Sequence, residues 1–444
     1  MPAPVLTDFD AGLVAAIPGP AWLRNSRLSA WEQFSAAGLP SASEEVWRYS
    51  RVDDLELDRY RPPAHGSTPV LELGSLPPRL VELVAAAGEH ATVLVVHNGA
   101  AGRVSGPQEG LTVQSPGDGP FGAGGELRPQ LQGPPPDVFS ALNAAVCEAP
   151  WRVSVPSGAR VAGPLVVVHW LEGEGLAAFP RLEVELGKQA SLDLVEILAS
   201  GDEAMLAVPV TRLALGDGAH LRYGQLQLLG AGAWQLANQA SRLSRDASLR
   251  SMSVALGGDY ARVRTGSVLD GPGGESELLA AYFGAGHQMH DLRTIQHHSA
   301  PRSRSALLFK GAVAGTAHSV YSGLIRVEKG AKGTNAFQTN RNLVLSDGAQ
   351  ADSVPNLEIE DNDVKCSHAS AVGPIDESQL FYLESRGIPT ATAKRLITFG
   401  FMDEVLEKFP VAPMVPWLRR ELAGRLATAG LPEPGAGAGA GEEA

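Results

Sequence analysis

Cys366 and His368, two residues apart in Val364-Lys365-Cys366-Ser367-His368, are the side chains whose types and spacing best suit metal or sulfur binding; the only other cysteine is Cys147. A strand from Val364 to Ser370 would alternate its side chains between two faces, so the thiol and the imidazole would point the same way. Thiolate and imidazole together suit zinc, copper or iron. Two ligands nevertheless fall short of the four that a closed zinc or iron–sulfur site usually needs. Such a site must borrow ligands, from another chain if need be. The same spacing also fits a second reading, in which Cys366 is a small buried hydrophobe and His368 its hydrogen-bonded neighbour. On spacing alone the second reading is the stronger.

Other chemistry-bearing groups are less specific. His287, His290, His297 and His298 lie close together, but their separations of 3, 7 and 1 match no zinc template. Asp291 would neutralise or orient one ring, and histidines on surface strands or at an interface are the expected reading. The phosphate-wrapping G-x-x-x-x-G-K-[ST] loop is absent; Gly330-Ala331-Lys332-Gly333-Thr334 has the residue types at the wrong spacing. Asn98-Gly99-Ala100-Ala101-Gly102 lacks the third glycine and the βαβ context of a dinucleotide loop. The chain is therefore expected to hydrolyse no ATP by itself. Glu358, Glu360, Asp361 and Asp363 precede Cys366. In a strand, Glu358 and Glu360 form a solvated face opposite a buried face of Leu357 and Ile359. A carbohydrate-active enzyme on a solenoid would use such carboxylates. The lack of a secretion signal and an aromatic content of 6% count against that alternative. No G-x-S-x-G nucleophile elbow occurs.

The elements that must position these groups follow from composition and periodicity. A chain of 444 residues holds a sizeable core, and its formal charge of −13 argues against a general nucleic-acid binder. The longest apolar runs are far below membrane-spanning length and the start MPAPVLTDFD is no leader, so a cytoplasmic protein without membrane association is expected. Ala21 to Leu39 has Leu28, Trp31 and Phe34 at helical spacing and stops at Gly38 and Pro40. Leu80 to Ala87 also suits a helix, followed by a strand at Val93 to Val96, a turn at Asn98-Gly99 and an irregular Gly/Pro-rich connection over 105–136.

From about residue 150 short apolar-alternating segments take over. Leu186 to Leu192, Leu215 to Leu221 and Leu243 to Leu249 share the template L-x-x-x-A-x-L, with alanines 29 (219 − 190) and 28 (247 − 219) residues apart. Val327 to Ala331 and Leu345 to Ala349 repeat its first half at an interval of 18 (349 − 331). Turns recurring at nearly fixed spacing between strands are what stacked rungs of a β-solenoid require, a sandwich or jelly roll being the alternative. After Pro374, Leu380 to Glu384, Thr390 to Phe409 and Trp417 to Thr428 have helical spacing, the last with Leu418, Leu422 and Leu426 on one face. The final GAGAGAGEEA is low-complexity and expected to be disordered.

The C-terminal third also carries a resemblance. Phe337-Gln338-Thr339-Asn340-Arg341-Asn342-Leu343-Val344-Leu345-Ser346, Val354-Pro355-Asn356-Leu357-Glu358-Ile359, Asp363-Val364-Lys365-Cys366-Ser367-His368 and Leu380-Phe381-Tyr382-Leu383-Glu384-Ser385-Arg386-Gly387 follow the order and spacing of the SufB/SufD family of iron–sulfur cluster assembly proteins. The match is strong over 287–409 and looser from 137, where Phe139-Ser140-Ala141-Leu142-Asn143 resembles the start of the family's core. Glu45-Val46-Trp47-Arg48-Tyr49 resembles a segment of the SufD branch. Ser367-His368-Ala369 stands where the SufB branch has Glu-His-Glu, and no cysteine stands near Ala349, so the resemblance is to SufD; Ala369 replaces that branch's usual glycine.

This resemblance implies a mainly β fold, a right-handed parallel β-helix core with N-terminal and C-terminal helical domains. The chain would divide into a mixed domain with its connection (1–136), the β-helix (137–375), a helical domain (376–430) and a tail (431–444). It implies a non-enzymatic scaffold that pairs with SufB, meets the ATPase SufC through 376–430, and forms a homodimer when alone. A transient iron–sulfur cluster would be shared with the partner at His368 and Cys366, and this chain would bind no nucleotide itself.

Overall fold

The computed structural model describes residues 9–115 and 137–431. Its helices are α1 (Ala11–Ala16), α2 (Ala21–Ala37), α3 (Pro78–Ala85), α4 (Val138–Val146), α5 (Glu377–Glu384), α6 (Thr390–Leu406) and α7 (Val415–Thr428). The strands are β1 (Thr92–His97), β2 (Ala101–Ser105), β3 (Thr112–Gln114), β4 (Trp151–Val155), β5 (Leu165–Leu171), β6 (Leu176–Ala178), β7 (Arg181–Leu186), β8 (Ser191–Ser200), β9 (Met205–Ala207), β10 (Val210–Leu215), β11 (His220–Leu228), β12 (Ala233–Leu243), β13 (Ser248–Ala255), β14 (Tyr260–Leu269), β15 (Glu275–Gly284), β16 (Met289–His298), β17 (Arg304–Val313), β18 (His318–Val327), β19 (Thr334–Val344), β20 (Gln350–Ile359) and β21 (Val364–Gly373).

These strands form a parallel β-solenoid of two sheets. One runs β2-β1-β5-β8-β11-β13-β15-β17-β19-β21; the other runs β20-β18-β16-β14-β12-β10-β7-β4-β3, with β6 and β9 joined beside it. Each turn of the chain lays one strand on each sheet. The L-x-x-x-A-x-L template is the corner between them: Leu186, Leu215 and Leu243 end strands of one sheet, and Ala190, Ala219 and Ala247, all fully buried, precede strands of the other. The residue before each alanine is left-handed: Gln189 at φ 55°, Gly218 at 62°, Asp246 at 53°. Only glycine takes that conformation without steric cost, so the sharp corner is fixed against local preference by the stacking on either side.

The interval of 18 has a different origin. Ala331 leads into β19 and Ala349 into β20, so they occupy opposite corners of one rung. The counterpart of Ala349 one rung earlier is Ala317, since His318 pairs with Gln350. The 105–136 connection likewise contains a strand, because β3 pairs antiparallel with β4; residues 116–136 and the low-complexity tail lie outside the described residues.

Helices cover the outer faces. Asp137 caps α4 through its carboxylate and Ser140 N, and α4 packs with α2 over Leu236, Tyr260 and Met289. The buried stripe of α2 is Leu23, Arg27, Ala30 and Phe34. Leu28, expected inside, is exposed, because Arg27 takes the core position: its guanidinium donates to the carbonyls of Ile17, Pro18, Cys147 and Glu148. The N-terminal segment is then clamped to the solenoid. Trp47 lies 3.9 Å beneath Arg262, Arg262 donates to Val46 O at 2.9 Å, and Arg293 donates to Arg48 O at 2.6 Å. Both arginines pair with Asp291, whose side chain is wholly buried and also accepts from the Tyr260 hydroxyl. On the other sheet, α3, α6 and α7 bury Leu80, Met402, Phe409, Leu418, Leu422 and Leu426 against Ile197, Leu226 and Val254. A Cβ at Gly224 would meet the Phe409 ring at 2.6 Å, so the glycine lets the C-terminal helices approach.

Removing one member of a buried ion pair leaves its partner desolvated and unpaired. Asp291→Ala is expected to destabilise the chain by about 3–5 kcal/mol in urea unfolding, and limited proteolysis should cut first near Arg48 and Arg51. A loss below about 1 kcal/mol would mean the clamp holds no more than a surface ion pair does.

Candidate functional site

Cys366 and His368 lie on β21, the last strand of its sheet, and β20 is the last strand of the other. Among the described residues each has a ladder partner on one side only. On β19 the residues Thr334, Ala336, Gln338, Asn340 and Asn342 are buried and face between the sheets. Their register partners on β21 are Val364, Cys366, His368, Ser370 and Val372. The expected common face of thiol and imidazole is therefore the inner face of the terminal rung. Cys366 is half-buried against the small cluster of Ile325, Val327, Ala331 and Ala336, whereas His368 is exposed.

Burial pushes the Cys366 thiol above its ordinary range, opposed by a backbone hydrogen bond at Ala336. At neutral pH the thiol keeps its proton, and a bound metal would have to displace it. Cys147 is more deeply buried, and desolvation pushes it up to about 11.

The remaining candidates separate. His287 is 80% exposed, 3.2 Å from Asp259. His297 pairs with Glu328 at 2.7 Å. His290 and His298, expected on a surface or interface, are instead buried. His290 approaches Gly257 O at 3.2 Å; His298 is held between the hydroxyls of Ser303 at 2.7 Å and Ser305 at 2.9 Å. Burial lowers both imidazoles to about 4. Four histidines close in sequence therefore occupy two faces of β16 and its preceding corner, and do not converge. Among the described residues no group of three or more His, Cys, Asp or Glu side chains is placed to hold a metal ion.

The acidic segment also resolves into local roles. Glu358 and Glu360 lie 4.0 and 3.8 Å from Arg326. Asp361 accepts from Gly330 N and Asp363 N, each at 3.0 Å, and these bonds lower its pKa. Its carboxylate shapes a turn. The face opposite Glu358 is less covered than expected: Leu357 is half-buried and Ile359 exposed, because among the described residues no strand lies beyond β20.

Two features escaped the sequence reading. Gln338, Asn340 and Asn342 form a buried polar floor beneath the terminal rung, and their alternate spacing was the available signal. In addition, α5 buries none of its residues, leaving Phe381 70% and Tyr382 56% exposed. Tyr382 and Leu383 of α5 line a cavity of about 400 Å³ with Ile397 of α6.

Residues 169–401 match the family described as SUF system FeS cluster assembly, SufBD core domain. The chain is 32% identical to the iron-sulfur cluster assembly SufBD family protein Rv1462 of Mycobacterium tuberculosis, over 90% of this chain and 92% of that one. It is 27% identical to the iron-sulfur cluster assembly protein SufD of Escherichia coli, over 85% and 86%. It is 30% identical to SufD of Bacillus subtilis, over 62% and 63%.

The two neutral buried histidines set a pH dependence. Their folded pKa of about 4 lies below the ordinary 6.5, so their contribution is complete above pH 6.5. As pH falls towards 4 the unfolded chain takes up protons that the folded chain refuses, and stability is lost. Urea midpoints are expected to drop between pH 7 and pH 5, and to drop less in His298→Gln; an equal drop in that variant would locate the effect elsewhere. Alkylation should reach Cys366 before Cys147 and accelerate with pH above 8, whereas equal labelling of both thiols in the native chain would contradict their different burial.

Proposed function

Because the chain belongs to the SufBD family of the SUF system for iron–sulfur cluster assembly, we propose that it is a non-catalytic scaffold subunit of the SufD type. It pairs end-on with SufB and offers His368 and Cys366 to a cluster built across that interface. The observation that carries this reading is the incomplete terminal rung. Among the described residues, two strands of ten residues each, β20 and β21, each leave one edge without a ladder partner, and Cys366 and His368 sit on the inner face of one of them. Open edges of this length are normally blunted or covered. Here Val354, Ile359 and Val372 are exposed along them and Phe337 on the strand beneath, which suits burial against another β-edge. Without that partner, a second copy of the chain would satisfy the same edges.

An imidazole and a thiol that keeps its proton bind iron or a cluster weakly, since both the remaining ligands and the proton acceptor must come from elsewhere. The cluster is cargo on this reading, held until an acceptor removes it. The exposed α5 face suits a second partner, the ATPase SufC, which would bind the nucleotide that this chain lacks a loop to hold. SufC would act through α6, whose Glu404 and Phe401 O meet the buried Lys310 of β17.

The complex co-expressed with SufB and SufC tests both surfaces. His368→Ala is expected to lower bound iron and acid-labile sulfide at least tenfold with the complex intact, and Cys366→Ser to lower them less. Phe381→Asp with Tyr382→Asp should release SufC while the SufB pairing survives. Wild-type iron in His368→Ala would sink the site, and retention of SufC by the double variant would sink the docking face.

A further inference from the structure

We propose that Gln338 is a positioning residue for His368, a role that rests on the assembly-site reading above. In the parallel ladder of β19 and β21 the two residues are Cα partners on the same face, and side chains so related stack about 4.8 Å apart. Gln338 is 2% exposed, so a buried amide side chain stands at the register position next to His368.

The orientation of that amide is fixed. Its Nε2 donates to Asn356 O at 3.3 Å, and because a backbone carbonyl only accepts, the nitrogen must lie on that side. Its Oε1 accepts from the Tyr321 hydroxyl at 3.2 Å. Tyr321 is itself anchored, with Thr294 Oγ1 at 3.1 Å from its hydroxyl. The space for this pair is made by Gly323, where a Cβ would collide with both Tyr321 Oη and Gln338 Oε1. The bond to Asn356 O also crosses from one sheet to the terminal strand of the other.

The adjacent amides behave differently. Tyr282 Oη donates to Asn342 Oδ1 at 2.6 Å, Asn342 Nδ2 to Asn340 Oδ1 at 2.8 Å, and Asn340 Nδ2 to Tyr282 Oη at 3.0 Å, a closed ring. Those groups are committed chiefly to one another. Gln338 has one carbonyl lone pair and one amide hydrogen beyond these bonds, and of the three amides it alone pairs in register with His368. A carbonyl that receives one imidazole N–H leaves the other ring nitrogen to bind a metal, which is the usual outer support of a histidine ligand. Gln338 can provide that support, held by Tyr321 and Asn356.

Gln338→Leu, of similar volume but without the amide, and Tyr321→Phe, lacking one hydroxyl, test this in the full chain. Two readouts are required: the tautomer ratio of His368 by nitrogen-15 NMR of the isolated chain, and iron content of the complex with SufB and SufC. Gln338→Leu is expected to shift the ratio and to lower iron by roughly ten- to a hundredfold, with Tyr321→Phe shifting both in the same direction by less. If His368→Ala loses iron while Gln338→Leu keeps wild-type iron and tautomer ratio, the positioning role is overturned and the site survives. If both variants lower the thermal midpoint and leave the tautomer ratio unchanged, Gln338 is structural only and the proposal fails. If His368→Ala keeps its iron, the assembly-site reading fails and this role with it.

Discussion

A parallel β-solenoid satisfies its backbone only through the rungs on either side, and that requirement organises this molecule. Every strand from β5 to β19 in the ten-stranded sheet has a neighbour on both edges from the same chain, as do β4, β7, β10, β12, β14, β16 and β18 in the other. The stack cannot close on itself, so it must end in strands with unmade ladder bonds. At the N-terminal end the antiparallel β2 and β3 stand beside β1 and β4. At the C-terminal end the chain turns away into α5 and leaves the last rung open. Among the described residues, the open C-terminal rung and the Cys366/His368 pair thus coincide.

The helical parts are consistent with this division. The N-terminal segment is tied down by charge, through the Arg262–Asp291–Arg293 triad and the carbonyls of Val46 and Arg48. A wholly buried carboxylate flanked by two arginines is a poor source of net stability but a strict geometric requirement, because any other docking leaves a charge unpaired. The C-terminal helices are held mainly by apolar packing, as in the Leu418, Leu422 and Leu426 stripe, and this hold weakens towards α5. The end of the domain nearest the open rung is therefore also the least committed to the rest of the chain.

Much of this was legible in the sequence where one interaction dominates locally. The L-x-x-x-A-x-L corners could be read because a buried corner admits only a small residue and stacking forces the repeat. The α7 stripe was clear because its helix has one buried face. Leu28 misled because periodicity cannot tell that a buried arginine satisfies carbonyls on two other segments. The interval between Ala331 and Ala349 misled because both corners of a rung select alanine. His290 and His298 were not recognisable as interior because the groups that replace their solvation, the Gly257 carbonyl for His290 and the Ser303 and Ser305 hydroxyls for His298, are brought to them only by the folding of the stack. The common face of Cys366 and His368 followed from strand alternation alone, but the inner orientation of that face, and the amides under it, required the register with β19.

The incompleteness of the site is better understood as a consequence of the fold than as a deficiency. A closed four-ligand site inside the stack would have every ligand on rigid, paired strands, and a cluster formed there could leave only by opening the ladder. On the reading proposed above, ligands on the terminal rung would be backed from one side only, so affinity would depend on what is brought against the edge. Burial pushes the Cys366 thiol up, so binding through sulfur would release a proton. The scaffold proposed above would have both to assemble and to surrender its cargo, and a partner-dependent site at the end of a solenoid is one that this fold can supply.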